Sequence, residues 1–306
     1  MRWRMLQRSA IRASLLIRSV TVPDIITMCP RASTRALASM MATAETEGVD
    51  QLTTNRVPLS RVFDGERNYL FSMKTNVRSY EWGVDEAETL LSDVRDSLDA
   101  AADDADAYEL NSVILVRGKS VPKQGQFYDV HDGQQRIVTL SLILAAMRDR
   151  YLQLDDPEMA MELQKKLRPD KPRQERVLRV LLRKQESELF ERILDRAGGE
   201  GEMGPAVKLP TTKERKALRD AEQRVADNFE AIKQSVDEID KAALDKLFDY
   251  LMDHCFVMFS ESPTSKMARS LVMGQNRGKN IEAIDEFKGK LIFGGVTGET
   301  QQDRCL

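Results

Sequence analysis

The stretch Tyr128 to Met147, YDVHDGQQRIVTLSLILAAM, constrains the fold more than any other part of the chain. It opens with β-type residues and passes through Asp132, Gly133, Gln134, Gln135 and Arg136. It then enters an apolar run with no helix breaker. Ile137, Leu140, Ile143, Leu144 and Met147 recur at helical spacing, which predicts a helix to about Tyr151. A strand therefore hands over to a helix through five polar residues, and Gly133 is where the backbone can turn tightly or come close to a ligand.

Those residue types suit an anion. The first turn of a helix carries free N–H groups and the positive end of the dipole. Arg136 adds a fork of donors matched to phosphate. Gln134 and Gln135 can orient a water or read a base edge. Asp132 can hold a divalent cation, Mg2+, or polarise a water. A plain turn and helix cap explains the same residues, and the residue types alone leave both readings open.

Elsewhere strands and helices are mixed along the chain. Val84, Ala87, Leu90, Leu91, Val94 and Leu98 predict an amphipathic helix from about 85 to 100, with Asp85, Glu86 and Glu88 in its first turn. LNSVILV, from Leu110, reads as a buried strand, GKSVPKQGQ as a turn, and FYDVH as the next strand. Residues 156 to 240 read as three charged helices, the second covering ERVLRVLLRKQESELFERILDRA and the third KERKALRDAEQRVADNFEAIKQSVDEI. DKLFDYLMDHCFVMFSES reads as a helix passing into a strand.

The 306 residues are 42% hydrophobic and 31% charged, with a net charge of −3, so no global basic field points to nucleic acid. Three cysteines without CxxC spacing and two histidines support neither a zinc ribbon nor a disulfide framework. No apolar run reaches the length of a membrane span. The first 45 residues differ from the rest: Arg2, Arg4, Arg8, Arg12, Arg18, Arg31 and Arg35 stand against only Asp24 and Glu45. That composition is expected of a mitochondrial or plastid transit peptide. The other reading is a start at Met40 or Met41 and a cytoplasmic protein.

Two further constellations carry charge or aromatic character. Asn276, Arg277, Gly278 and Lys279 form a Gly-containing loop between helical segments, followed by Asp285 and Lys288 on one helical face. A helix-hairpin turn with surface charges explains them equally. Arg78, Tyr80 and Trp82 alternate, so on an extended segment they would face one way.

DGQQR followed by IVTLSLIL resembles the signature DGQQRLTTL of the N-terminal domains of GmrSD-type, modification-dependent restriction enzymes. VRSYEW is similar to that family's QRPYSW and keeps Arg78, Tyr80 and Trp82, with Val77 and Ser79 in place of the Gln and the Pro. YELNSVILV resembles the family strand YFLGSIVL at Tyr108, Ser112, Ile114 and Leu115, with Asn111 where Gly is usual. VMGQNRGKNIEAIDEFK is similar to the family's late motif at Asn276, Arg277, Gly278, Asp285 and Lys288. Four motifs in the same order span roughly residues 55 to 293.

The resemblance implies an α/β fold with a small ParB- and sulfiredoxin-like sheet core and extensive helical additions. It implies binding and hydrolysis of a nucleoside triphosphate at DGQQR, coupled to DNA recognition. Asp132, Gln134, Gln135 and Arg136 would be catalytic, with Mg2+ on Asp132. Gly133, Arg136, Asn276, Arg277, Gly278 and Lys279 would bind phosphate. Arg78, Tyr80, Trp82, Asp285 and Lys288 would touch nucleic acid or line the pocket. The expected organisation is a leader over 1–45, the α/β core over 55–155, a helical subdomain over 156–295 and a loose tail over 296–306. Family members usually continue into a nuclease half, separate or missing here. A truncated gene model is expected, and a non-catalytic nucleotide- or DNA-binding module is the alternative function.

Overall fold

The helix that follows Gly133 runs from Gln134 to Gln153 and is buried on nearly every side. Beyond the expected apolar stripe it also buries Val138, Thr139, Ser141, Leu142, Ala145, Ala146, Arg148 and Asp149. It is a central helix with other elements packed around it. The computed structural model describes residues 51–64, 69–73, 78–100, 107–121, 124–169, 177–184, 187–196 and 203–275. The leader 1–45, the NRGK loop with Asp285 and Lys288, and the tail 296–306 lie outside them.

In chain order, β1 (Thr53–Pro58) leads into the single turn α1 (Leu59–Val62), followed by β2 (Leu70–Ser72) and α2 (Val84–Ala100). Next come β3 (Tyr108–Val121), β4 (Gly125–Asp132), α3 (Gln134–Gln153) and α4 (Pro157–Leu167). After them are β5 (Val180–Leu181), α5 (Glu188–Leu194), α6 (Thr212–Arg215), α7 (Asp220–Asp237) and α8 (Lys241–Asp253). The described chain closes with β6 (Cys255–Ser262) and α9 (Ser265–Gln275). The sheet has six strands in the order β1-β6-β3-β4-β2-β5. Pairs β1·β6 and β3·β4 are antiparallel, while β3·β6, β2·β4 and β2·β5 are parallel. This is a mixed α/β fold with a multi-strand sheet and extensive helical decoration.

Alternation along β3 divides its side chains between two faces. Val113 and Leu115 join the main core with α2, α3, α7 and α8. Ile114 and Val116 pack against Ala268, Leu271 and Val272 of α9. The α9 helix thus lies on the opposite face from the rest, against the strands that lead into the Gly133 turn.

Several elements depart from the sequence reading. GKSV continues β3 because pairing with β4 resumes at Ser120↔Gln126 and Val121↔Gly125 after a bulge. Gln126 Nε2 covers that irregularity by donating to the carbonyls of Gly118 and Phe127, at 2.6 and 2.7 Å. The polar Thr53–Pro58 segment is a strand because β6 supplies six antiparallel partners. In the expected second helix, Val180 and Leu181 instead pair with β2, and of its described residues only Glu188–Leu194 are helical. Arg179, fully buried just before β5, fixes that strand by donating to the carbonyls of Lys166, Val62, Tyr69 and Asp64. The expected third helix is interrupted at Leu218–Arg219, between α6 with its Thr211/Glu214 capping box and α7. No helix among the described residues is long and apolar enough to cross a membrane.

Candidate functional site

Gly133 is the N-cap of α3 and has φ +86°, in the left-handed region. A Cβ there would lie 2.6 Å from Val113 Cγ2 and 3.2 Å from the Ser112 carbonyl oxygen. Both the backbone sign and the contact with β3 call for glycine. A plain surface cap requires neither, so the turn is pressed tightly into the sheet.

Around that turn the four polar side chains separate. Asp132, half-buried at the end of β4, interacts electrostatically with the Arg136 guanidinium and accepts no hydrogen bond from a described residue. Gln134 is only 8% exposed and its amide likewise has no partner among the described residues. Arg136 Nη1 donates to the Ser112 carbonyl at 2.7 Å. Burial lowers the Arg136 pKa from its ordinary value, opposed by Asp132 and then Tyr108.

Gln135 does something the sequence did not suggest. Its Oε1 accepts from the backbone N–H groups of Glu81 and Trp82, at 2.9 and 3.2 Å, and its Nε2 donates to the Ser79 carbonyl at 2.8 Å. It holds an extended strap, residues 79–83, along the start of α3. Other elements grip the same strap. Tyr80 Oη shares a 2.7 Å hydrogen bond with Thr139 Oγ1. Asn228 Nδ2 donates to Tyr80 Oη at 2.8 Å and to the Trp82 carbonyl at 2.9 Å. Arg224 donates to the Glu81 carbonyl at 2.5 Å, and Arg183 donates to Ser79 Oγ. Gly83 N–H donates to Glu86 Oε2 at 2.8 Å. Arg78, Tyr80 and Trp82 therefore do not share one face: Tyr80 is buried, Trp82 is half-buried, and Arg78 is exposed beside Glu81.

Trp82 and Arg136 line one cleft of about 420 Å³. Its other walls are Asp85, Glu86, Thr89, Leu90 and Asp93 of α2, and Tyr108, Leu110 and Asn111 of β3. Tyr108 Oη donates to Asp93 Oδ2 at 3.1 Å. Burial first, and Asp93 second, push the Tyr108 pKa up to about 12. Asn111 sits in the register shift between Glu109 and Ser112, with φ +63°. A β-bulge beside a cleft re-aims side chains, and Asn is among the few non-glycine residues that tolerate left-handed backbone. Three carboxylates against one guanidinium make the described lining net negative. A bare polyphosphate would be repelled there unless a divalent cation or further basic groups accompanied it. The described residues contain no cluster of three or more His, Cys, Asp or Glu placed to hold a metal. Asp132 is not among the cleft's lining residues, but it interacts with Arg136, which is, and its carboxylate accepts no hydrogen bond from a described residue. Mg2+ needs only one or two carboxylates when phosphates complete its shell.

Compared with known families, residues 63–292 match the GmrSD restriction endonuclease N-terminal domain. The chain belongs to this family. A comparison with curated proteins gives no match. Two of the departures from the resembled GmrSD motifs that fall on described residues, Asn111 and Ser79, have physical readings; a third, Gln275 where an apolar residue is usual, ends α9. Asn111 replaces a glycine at a position whose backbone is left-handed, a substitution Asn makes at low cost. Ser79 replaces a proline, and its hydroxyl accepts from Arg183. The NRGK loop of the late GmrSD motif follows directly after α9, but its residues lie outside the described ones.

Proposed function

We propose that the chain binds a nucleoside triphosphate, as its Mg2+ complex, in the cleft at the start of α3 and hydrolyses it, as part of DNA recognition by a restriction-type assembly. The observation that carries this reading is the Gly133 turn. A left-handed glycine wedged on β3 opens a largely buried helix, and Arg136 in its first turn lines a nucleotide-sized cleft. Membership in the GmrSD N-terminal family supports it and favours a ParB/sulfiredoxin-like core.

Asp132 would hold Mg2+, and the metal would supply charge neutralisation on the phosphates. Arg136 binds phosphate and counters charge that develops on it. Gln134, with an uncommitted amide, orients water. On this reading Asn276, Arg277, Gly278 and Lys279 bind phosphate, the two cations offsetting the acidic lining, and Asp285 and Lys288 contact nucleic acid or the pocket. The core then takes in β5 and β6 from the 156–295 segment as well as residues 55–155, and the rest of 156–295 supplies the helical additions. One observation favours a second reading, a non-catalytic nucleotide- or DNA-binding module: Gln135, a candidate catalytic residue, is committed to the strap.

Calorimetric titration with ATP and GTP in Mg2+ tests the proposal. Arg136→Ala is expected to weaken nucleotide binding by about 1.5–3 kcal/mol, roughly ten- to a hundredfold. Asp132→Asn is expected to abolish phosphate release while leaving affinity within a few-fold. No heat and no shift of the wild-type melting temperature with either nucleotide would defeat the nucleotide reading. Binding without phosphate release would select the non-catalytic module.

A further inference from the structure

We infer that Trp82 is the surface on which the base of the nucleotide stacks, and that Asn228 and Arg224 of α7 are positioning residues that hold it there. This rests on the nucleotide reading above and adds a base subsite to it.

Every residue of the 79–83 strap is tied by hydrogen bonds, and the ties come from four parts of the chain. Gln135 and Thr139 hold it from α3, Asn228 and Arg224 from α7, Arg183 from the segment after β5, and Glu86 from α2. The two peptide groups flanking Trp82 are engaged on both sides: Gln135 takes its N–H, Asn228 gives to its carbonyl, and Glu86 takes the N–H of Gly83. The backbone that bears the indole is fixed while the side chain remains half-buried against the cleft. An aromatic face held in place before a ligand arrives loses little freedom on stacking. Trp82 and Tyr108, both partly packed on the core, are the cleft's two aromatic side chains. Tyr108 is tied to Asp93 through its hydroxyl, Trp82 brings the larger apolar ring system, and Arg136 is the phosphate donor. That division matches the two ends of a nucleotide.

Asn228 is fully buried, and its Nδ2 meets two acceptors while its Oδ1 has no partner among the described residues. The amide orientation follows from the Trp82 carbonyl, which needs a donor. Leaving a buried acceptor unpaired is costly, so an asparagine that accepts this cost serves the two bonds that fix Tyr80 and Trp82. It also makes α7 part of the site, although no α7 residue lines the cleft.

The experiment uses the full chain carrying Trp3→Phe, which leaves Trp82 as its sole tryptophan. ATP and tripolyphosphate, each with Mg2+, are titrated by calorimetry and by tryptophan emission. ATP is expected to quench Trp82, whereas tripolyphosphate binds without quenching and more weakly. Trp82→Leu, read by calorimetry, should weaken ATP by roughly ten- to a hundredfold and leave tripolyphosphate within about twofold. Asn228→Leu should weaken ATP several-fold with tripolyphosphate unchanged and make Trp82 more accessible to acrylamide. Arg224 is exposed, so Arg224→Ala repeats that test if Asn228→Leu fails to fold. Equal losses for both ligands in Trp82→Leu, or ATP binding with unchanged emission, would overturn the base subsite while the nucleotide reading stood. If neither ligand binds the wild type, the nucleotide reading and the base subsite fall together.

Discussion

At the scale of single residues, Gly133 and Tyr80 carry constraints that can be measured without any ligand. Gly133→Ala must place a Cβ 2.6 Å from Val113 Cγ2 on a left-handed backbone. The expected loss is roughly 2–4 kcal/mol, the sum of the conformational and overpacking costs, and urea unfolding measures it. Tyr80 is held neutral: burial pushes its pKa up to about 12, and the bonds from Thr139 and Asn228 pull the other way. The unfolded chain releases that proton near pH 10. The folded state keeps it longer, so the contribution is whole below about pH 10 and is lost as pH rises toward about 12. A shift of this size corresponds to about 2–3 kcal/mol. Tyr80→Phe should therefore melt below wild type at neutral pH, because Asn228 and Thr139 lose a partner. The gap should narrow at about pH 11, and a gap that stays constant from about pH 9 upward would show that the phenol does not titrate as described.

At the scale of elements, the strap and the first turn of α3 act together through one amide. Gln135→Ala removes three hydrogen bonds to residues 79–82. Hydrogen exchange at the Glu81 and Trp82 amides should accelerate by roughly ten- to a hundredfold, while amides from Leu140 onward in α3 keep their protection. Much of this layout is legible from the sequence. The α2 helix shows its apolar period, and α3 follows a Gly that only a sharp turn explains. The left-handed backbone at Asn111 also has a local signal, since Asn stands where the resembled family has Gly. What cannot be read locally is anything whose cause lies far along the chain. β1 is a polar edge strand that exists because β6 pairs with it. β5 hides inside a charged pattern that looks helical, and the buried Arg179 looks like any surface arginine. The partners of the strap on α7 carry no signal either, since Asn228 and Arg224 sit in a helix whose charges read as a solvated face. Gln135 was expected to orient water, yet amide chemistry serves a carbonyl and two N–H groups just as well.

At the scale of the whole molecule, α3 is bound to its neighbours by buried charge as well as by apolar contact. Arg148, with no exposed surface, donates to Asp149, to Gln164 of α4 and to the carbonyls of Ile193 and Leu194 in α5. Arg196 reaches the same Asp149 oxygen at 2.5 Å. Asp149→Ala would leave two buried guanidinium groups facing each other. It should cost roughly 3–5 kcal/mol, the range for breaking a buried ion pair by removing one partner. Replacing all three charged residues with apolar ones of similar volume should restore most of that loss, and equilibrium unfolding of the single and triple variants distinguishes the two outcomes.

The position of β6 between β1 and β3 also sets an order in time. Thr54 and its cross-strand neighbour Ser260 are 206 residues apart in sequence. At ribosomal speeds of roughly 5–20 residues per second, β1 waits on the order of ten to forty seconds for the strand that pairs with it. Meanwhile β3 and β4 can form their hairpin, but the β3 edge that will receive β6 stands open. A nascent chain with an open edge recruits other strands. The exposed polar run Thr53–Arg56 and the closing Pro58 make β1 a poor template for such pairing. The apolar segment Val113–Val116 has no such guard. Until residue 262 leaves the ribosome, that apolar segment lacks the strand that will cover its edge.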